Sequence, residues 1–143
     1  MRRFIVFLLA VIVSAGHAQT QASSEDNIRA FIKTFAGARN AHDGDSAAAL
    51  YTEAGEWIQA GNPPSVIRGR AELAKLWSRL KGRVDRTVSA IGFPGPNIAV
   101  VRVSCQYYPD TGTTGLHTEV FVLVNENSAT SPNWRICLHQ SLD

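Results

Sequence analysis

The sequence predicts an α+β domain in which helices pack on one face of a curved sheet. Apolar residues recur with a helical period in the first half of the chain, whereas the second half contains long runs of strand-forming residues. Turn signals rich in proline and glycine separate these runs, so neighbouring strands are expected to be antiparallel. Early helices followed by strands with short connections are typical of this class.

The start of the chain has the layout of a secretory signal peptide over residues 1–18. A pair of arginines precedes an apolar run over residues 4–13, and small residues lead up to Ala18. The run is much shorter than the roughly 20 residues that span a bilayer. We therefore expect cleavage before Gln19 and an exported protein, periplasmic or secreted, with no membrane contact after cleavage. An uncleaved membrane anchor is the alternative.

The charge balance of the remaining chain argues against a nucleic-acid or anionic-membrane partner. The sequence has 14 Lys and Arg against 12 Asp and Glu, and removal of residues 1–18 takes away two of the arginines. No basic run remains, although affinity for polyanions depends on clustered Lys and Arg. The two cysteines lack the close Cys or His pairs of a zinc site. We expect a small-molecule partner with little or no charge, and neither a metal nor another cofactor.

The remaining chain divides into a flexible polar lead at residues 19–24 and a single domain at residues 25–143. Hydrophobic periodicity and capping residues predict the helices, and alternation between turn signals predicts the strands. The expected helices begin after a cap at Ser23 or Ser24, run through residues 47–51 after an aspartate cap at Asp43 or Asp45, and cover residues 71–80. The expected strands cover residues 56–60, 65–68, 84–93, 98–108, 116–125 and 134–141.

Three segments in a fixed order carry a resemblance to a known family. They are residues 39–43 leading into residues 47–52 and Trp57, residues 69–73 at the start of the third helix, and residues 134–141. In this arrangement the chain resembles the nuclear transport factor 2-like superfamily, in its SnoaL-like branch of polyketide-cyclase-related proteins. The resemblance implies a cystatin-like cone: a strongly curved, mixed but mostly antiparallel sheet wraps around the N-terminal helices and leaves a pocket. It also implies a homodimer.

Two departures from the family pattern concern the expected pocket. Arg39 stands where the family usually has an aromatic residue, and residues 53–55 replace an acidic-Asp-Ala run. In catalytic relatives an Asp or an Arg–Asp pair in the pocket transfers protons, and no such pair falls on matching positions here. The resemblance therefore implies a pocket and leaves catalysis open.

Strand alternation places several polar side chains toward this pocket. In residues 98–108 the more apolar face, which includes Cys105 and Tyr107, is assigned to the pocket. On the next strand His117 and Glu119 share a face, where two ionisable groups could exchange a proton or hold a polar ligand. A solvated pair at a strand end is the alternative.

Histidine and arginine supply further candidates for chemistry. His139 lies on the closing strand, which we expect to be central, and an imidazole can titrate near neutral pH. A core histidine bonded to a neighbouring polar group is the alternative. Arg70 at the start of a helix indicates an acidic partner or a ligand carboxylate. Tyr51 and Trp57 are expected to fill the cone or to contact a ligand.

These residues leave different classes of function open. The leading hypothesis is an exported, cofactor-free domain that binds a small, largely apolar molecule. The alternative is a cofactor-independent acid–base enzyme, an isomerase, dehydratase or cyclase, with His139 or Glu119 as the catalytic base. A structural or interaction module is a third possibility. The ligand-binding residues in this interpretation are Tyr51, Trp57, Arg70, Tyr107 and His117.

The expected strand order also bears on dimerisation and on the cysteines. Val100 and Val122 belong to an apolar outer face, and a two-fold homodimer is the commonest way to cover such a face. If one strand lies between those of Cys105 and Cys137, their backbones are about 9 to 10 Å apart. A disulfide needs Cα atoms within roughly 7 Å, so we expect no bond between them.

Overall fold

The computed structural model describes residues 23–127 and 132–142. The predicted signal peptide at residues 1–18 lies outside the described residues, as do residues 19–22 of the predicted lead. The other two residues of that lead, 23 and 24, are already helical. Within the described ranges no helix combines the length and the apolar character that a membrane crossing requires.

Three helices lie in the first half of the described chain: α1 over residues 23–40, α2 over Gly44–Ala49 and α3 over Arg70–Arg79. The helix α1 turns a buried stripe that includes Ile28, Ile32 and Phe35 toward the sheet. The side chain of Asp43 caps α2 by accepting a hydrogen bond from the Ser46 backbone N–H at 3.0 Å, as the sequence predicts.

Six strands form one mixed sheet. In space their order is β2-β1-β6-β5-β4-β3. Among the described strands β1 and β6 pair in parallel, and every other neighbouring pair is antiparallel. The predicted α+β class and the central place of the closing strand are therefore confirmed. The strands are β1 (Tyr51–Gln59), β2 (Ser65–Arg68), β3 (Arg83–Gly95), β4 (Ile98–Tyr108), β5 (Gly115–Asn125) and β6 (Trp134–Ser141).

Tyr51 is the first residue of β1, and the prediction that it ends the second helix is wrong. Its Cα pairs with that of Ile136 on β6, and its side chain is fully buried. The register of this pairing shifts between Tyr51 and Glu56, which interrupts the two-residue alternation of a regular strand. The start of β1 is thus determined by pairing with a strand distant in sequence, which overrides the local helical pattern.

Alternation along β4 separates a buried face from an exposed face, as the sequence predicts. Val101, Val103 and Cys105 are at most 2% exposed, whereas Ile98 and Val100 are 40% and 38% exposed. Cys105 and Cys137 are both free thiols, and β5 lies between their strands. The prediction that they are not bonded to each other is confirmed.

Phe35 of α1 is at the centre of a cluster of rings between the helices and the sheet. Its ring makes edge contacts with the rings of Tyr51, Trp77, Phe121 and His139, at centroid distances of 5.4 to 6.0 Å. Each of these five residues is at most 2% exposed. Edge-to-face packing of this kind stabilises a core beyond the area that it buries.

Candidate functional site

A cavity of about 250 Å³ lies between the concave face of the sheet and the ends of α1 and α3. Large apolar side chains and several polar side chains line it together. The apolar lining is Trp57, Trp77, Leu80, Val84 and Leu116, and the polar lining is Arg39, Gln59, Arg86, Tyr107, His117, Glu119 and Ser141. A mostly apolar hollow with a few convergent polar groups is the usual form of a small-molecule site.

Glu119 is the centre of the polar wall. Arg86 donates to both of its carboxylate oxygens, from Nε at 2.7 Å and from Nη2 at 2.9 Å, and the side chains are 2% and 6% exposed. Nε2 of His117 forms a hydrogen bond of 3.2 Å with Oε1 of the same carboxylate. Burial opposes ionisation of Glu119, but the neighbouring His139, Arg86 and His117 outweigh it and hold its pKa well below the ordinary value.

The carboxylate of Glu119 determines the tautomer of both imidazoles beside it. Nε2 of His117 is 3.2 Å from Oε1 of Glu119 and forms a hydrogen bond with it. Nε2 of His139 is 3.3 Å from Oε2 of Glu119, but this second contact is not aligned as a hydrogen bond. An ionised carboxylate can only accept, so each Nε2 carries the proton. In a neutral ring Nδ1 is then the basic nitrogen. Nδ1 of His139 is 2.9 Å from the Tyr51 hydroxyl, which therefore donates to it.

His139 is a core residue with no surface on the cavity. Its ring stacks on Phe121 at a centroid distance of 4.0 Å and on Trp77 at 5.7 Å, and it is 0% exposed. Burial lowers the pKa of His139 despite the opposing effect of Glu119. Burial likewise raises the pKa of the Tyr51 hydroxyl well above its ordinary value, with Glu119 adding to the rise. The Tyr51 hydroxyl is therefore uncharged near neutral pH.

A second buried arginine, Arg39 of α1, also lines the cavity. Its guanidinium donates to the backbone carbonyls of Lys81 and Gly82, and the residue is 3% exposed. Burial and then the charge of Arg86 lower its pKa. Gly82 has a φ of +72°, and a Cβ there would lie 2.5 Å from the Tyr108 carbonyl oxygen. Glycine at this position therefore allows its backbone to lie close to the backbone of Tyr108.

Three potential metal ligands lie together on β4 and β5. Donor atoms of Cys105, His117 and Glu119 are all within 4.8 Å of one another. A thiolate, an imidazole and a carboxylate are a suitable ligand set for zinc. However, burial and then Glu119 raise the pKa of the Cys105 thiol, and Arg86 occupies both carboxylate oxygens. A cation would have to displace that guanidinium.

The structure brings together four of the residues that the sequence singles out. Trp57, Tyr107, His117 and Glu119 line the cavity. Tyr51 and His139 do not line the cavity, and their side chains are hydrogen-bonded to each other in the core.

Arg70 lies away from the cavity and holds the start of α3 against β1. It donates to the Tyr51 carbonyl from Nε at 2.8 Å and from Nη2 at 2.6 Å. Its Nη1 is 3.3 Å from the Glu53 carboxylate. Glu53 is therefore an acidic partner, as expected for an arginine at the start of a helix.

Sequence reasoning missed Arg86 and the cavity-facing role of Arg39, although both have a signal in the sequence. On β3, Arg86 alternates with Val84 and Val88, so it shares their face. On α1, Arg39 follows Phe35 by four residues and continues the buried stripe. An arginine within an apolar stripe indicates a buried partner.

The fold is shared with solved structures that have little sequence in common with this chain. A domain of unknown function with a cystatin-like fold from Nostoc punctiforme has a TM-score of 0.70 at 22% identity, over 83% of this chain and 76% of that one. An NTF-2 like protein of unknown function from Shewanella oneidensis has a TM-score of 0.69 at 18% identity, over 84% of this chain and 99% of that one. A ketosteroid isomerase-like protein from Erwinia carotovora atroseptica has a TM-score of 0.62 at 23% identity, over 80% of this chain and 91% of that one.

These similarities define the class of the protein as nuclear transport factor 2-like, or cystatin-like, in fold. The predicted curved, mostly antiparallel sheet with N-terminal helices is thereby confirmed. No protein-family model matches the sequence, and no curated protein matches it either.

Proposed function

We propose that this protein binds a small, largely apolar molecule in the cavity beside Glu119. The observation that carries the proposal is the cavity of about 250 Å³, which is lined by two tryptophans and by the buried Arg86–Glu119 pair. Ligand pockets in proteins commonly measure about 300 to 1,000 Å³, and this cavity lies just below that range, so it suits only a small molecule. The apolar side chains supply affinity, and the polar cluster supplies orientation.

Gly115 at the cavity wall allows a direct test of this binding function. A Cβ at Gly115 would meet nothing within 4 Å, so a phenylalanine there can enter the cavity without a backbone clash. We expect native mass spectrometry of the protein purified from its own host to show a retained small molecule. We expect Gly115→Phe to lose it, because the new ring occupies the same space.

The matched control for this test is Gly92→Phe. Gly92 also has open space around its Cβ position, but it lies on β3 outside the cavity lining. This variant should retain the molecule at the wild-type level. Equal retention by Gly115→Phe and by the wild-type protein would contradict binding in this cavity.

A second candidate function is acid–base catalysis on the bound molecule. The observation that favours it is the contact of His117 with Glu119, because a carboxylate that orients an imidazole is a recurrent element of general-base sites. His117 lines the cavity, whereas His139 does not. The neighbouring His139 and Arg86 hold the pKa of Glu119 well below its ordinary value, so its carboxylate is a weak base. In this proposal His117 is the base, and Tyr107 or Arg86 stabilises an oxyanion.

Deuterium exchange into a simple ketone tests this catalytic candidate. With cyclohexanone in D₂O, we expect the wild-type protein to accelerate exchange at the α-carbon and His117→Asn to lower that rate by about 100-fold or more. His42→Asn is the matched control, because His42 is exposed and lies outside the cavity lining. The same rate in His117→Asn as in the wild-type protein would exclude His117 as the base.

We also propose that the protein forms a homodimer through the convex face of the sheet. Val100 is 38% exposed and pairs with Val122 across β4 and β5, which places two apolar side chains next to each other. We expect analytical ultracentrifugation to show a dimer that Val100→Glu converts to a monomer, because an unpaired carboxylate would be buried in the interface. Val66→Glu is the control, since Val66 is 48% exposed on β2. A monomeric wild-type protein at high micromolar concentration would contradict the proposal.

A further inference from the structure

The wall of the cavity carries more buried positive charge than buried negative charge. Arg39 and Arg86 both line it; Arg39 is 3% exposed, and the side chain of Arg86 is 2% exposed. Among the described residues that line the cavity, Glu119 is the only acidic one. Two guanidinium groups thus face a single carboxylate, and the other ionisable neighbours do not change this balance. His117 adds no negative charge in either protonation state.

Neither the Tyr51 hydroxyl nor the Cys105 thiol supplies the missing negative charge. Burial raises the pKa of both groups, and the nearby Glu119 raises it further. Both remain neutral near neutral pH. His139 likewise adds no negative charge in either protonation state. The buried cluster therefore retains a surplus of at least one positive charge.

The two arginines also have unused capacity to bind an anion. Arg86 uses Nε and Nη2 on Glu119, while its Nη1 is buried without a hydrogen-bond partner among the described residues. Arg39 donates to two backbone carbonyls, and within the described ranges no carboxylate lies within 4.0 Å of it. Buried cations in proteins are normally paired, because an uncompensated charge in a low-dielectric site is costly.

We propose that the ligand of this cavity is a small monocarboxylate, whose anionic group lies between Arg39 and the Nη1 side of Arg86. The inference rests on the proposed binding function and specifies its ligand class. A planar carboxylate matches the fork geometry of a guanidinium, and one negative charge balances the surplus of the cluster. The rest of the ligand is apolar, since Trp57 and Trp77 also line the cavity. This replaces the expectation, based on composition, of a ligand with little or no charge.

Benzoate and benzamide are the probes for this proposal, because they are similar in size and shape but differ in charge at neutral pH. We expect isothermal titration calorimetry of the full protein to give a Kd for benzoate at least about tenfold lower than that for benzamide, the difference expected for a charge-assisted contact. The ratio of the two Kd values in the unaltered protein decides the question. A ratio near one would overturn the proposal.

Variants of Arg39 locate the effect. Arg39→Met should weaken benzoate binding by about tenfold and leave benzamide binding unchanged, whereas Arg39→Lys should keep a preference for benzoate because it retains the charge. Arg83→Met is the matched control, since Arg83 is exposed, pairs with Asp85 and does not line the cavity. If Arg39→Met does not fold, Arg39→Lys and the wild-type ratio remain decisive. Loss of the preference in Arg83→Met to the same extent would overturn the assignment to Arg39.

The same titrations separate failure of this inference from failure of the proposed binding function. If both probes bind equally well and Gly115→Phe abolishes both, the cavity binds ligands but the carboxylate inference is wrong. If neither probe binds, the carboxylate inference is wrong as well, and only a molecule retained from the host would still support the binding function. Preferential binding of benzoate that Gly115→Phe and Arg39→Met both remove supports the proposal.

Discussion

Replacing Arg86 with methionine is expected to lower the free energy of unfolding by about 3 to 5 kcal/mol. The substitution removes the partner that donates to both oxygens of Glu119 and leaves a carboxylate that is 6% exposed without its main counter-ion. Methionine is shorter than arginine but replaces the apolar part of its side chain, so much of the loss comes from the unpaired charge. Urea unfolding of the purified protein measures it as a lower midpoint with an unchanged slope.

The matched control for Arg86→Met is Arg68→Met. Arg68 contacts Glu56 at the same distance of 2.7 Å, but the two side chains are 67% and 28% exposed. Exposed ion pairs contribute about 0 to 1 kcal/mol, so this variant should differ little from the wild-type protein. The double variant Arg86→Met, Glu119→Leu should recover much of the loss, because no lone charge then remains buried. Equal effects of the two single substitutions would contradict a special role for burial.

Replacing Phe35 with alanine is expected to cost about 3 to 5 kcal/mol, the usual range for a buried phenylalanine. The ring contacts four other rings of the core, and the Arg86 guanidinium carbon lies 5.2 Å from its centroid. Its removal creates a void at the point where α1 meets the sheet. Differential scanning calorimetry should show a correspondingly lower Tm.

Phe31 provides the comparison for this second prediction. It lies on the same helix one turn earlier and is only partly buried. The substitution Phe31→Ala removes the same atoms from a site that water already reaches in part, so its cost should be clearly smaller. A larger loss in Phe31→Ala than in Phe35→Ala would show that the ring cluster is not the main packing centre of α1.

The parts of the fold that sequence predicts best are those with long, regular alternation. The predicted bounds of β4 and β6 coincide with Ile98–Tyr108 and Trp134–Ser141, because each strand has turn-forming residues before it. The start of β1 could not be predicted in the same way. Tyr51 follows an alanine-rich helix without a turn signal, and its strand conformation depends on pairing with Ile136. Such pairing between distant residues leaves no local pattern.

The candidate site shows the same division between local and long-range information. A spacing of two residues is sufficient to place His117 and Glu119 on one face. Their contact with Arg86 depends on the register that sets Arg86 opposite Cys105 and Cys105 opposite His117, which no local pattern specifies. The inaccessibility of His139 similarly depends on its pairing with Phe121 across β5 and β6. Residue types can thus be proposed from sequence, whereas their partners require the register.

The position of β6 also affects the order in which this chain can fold during synthesis. β1 and β2 come early in the sequence, yet they join the rest of the sheet only through β6, the last strand. Pairing between elements so far apart delays folding, because a long loop must close first. A ribosome must therefore produce β6 before the sheet can be completed.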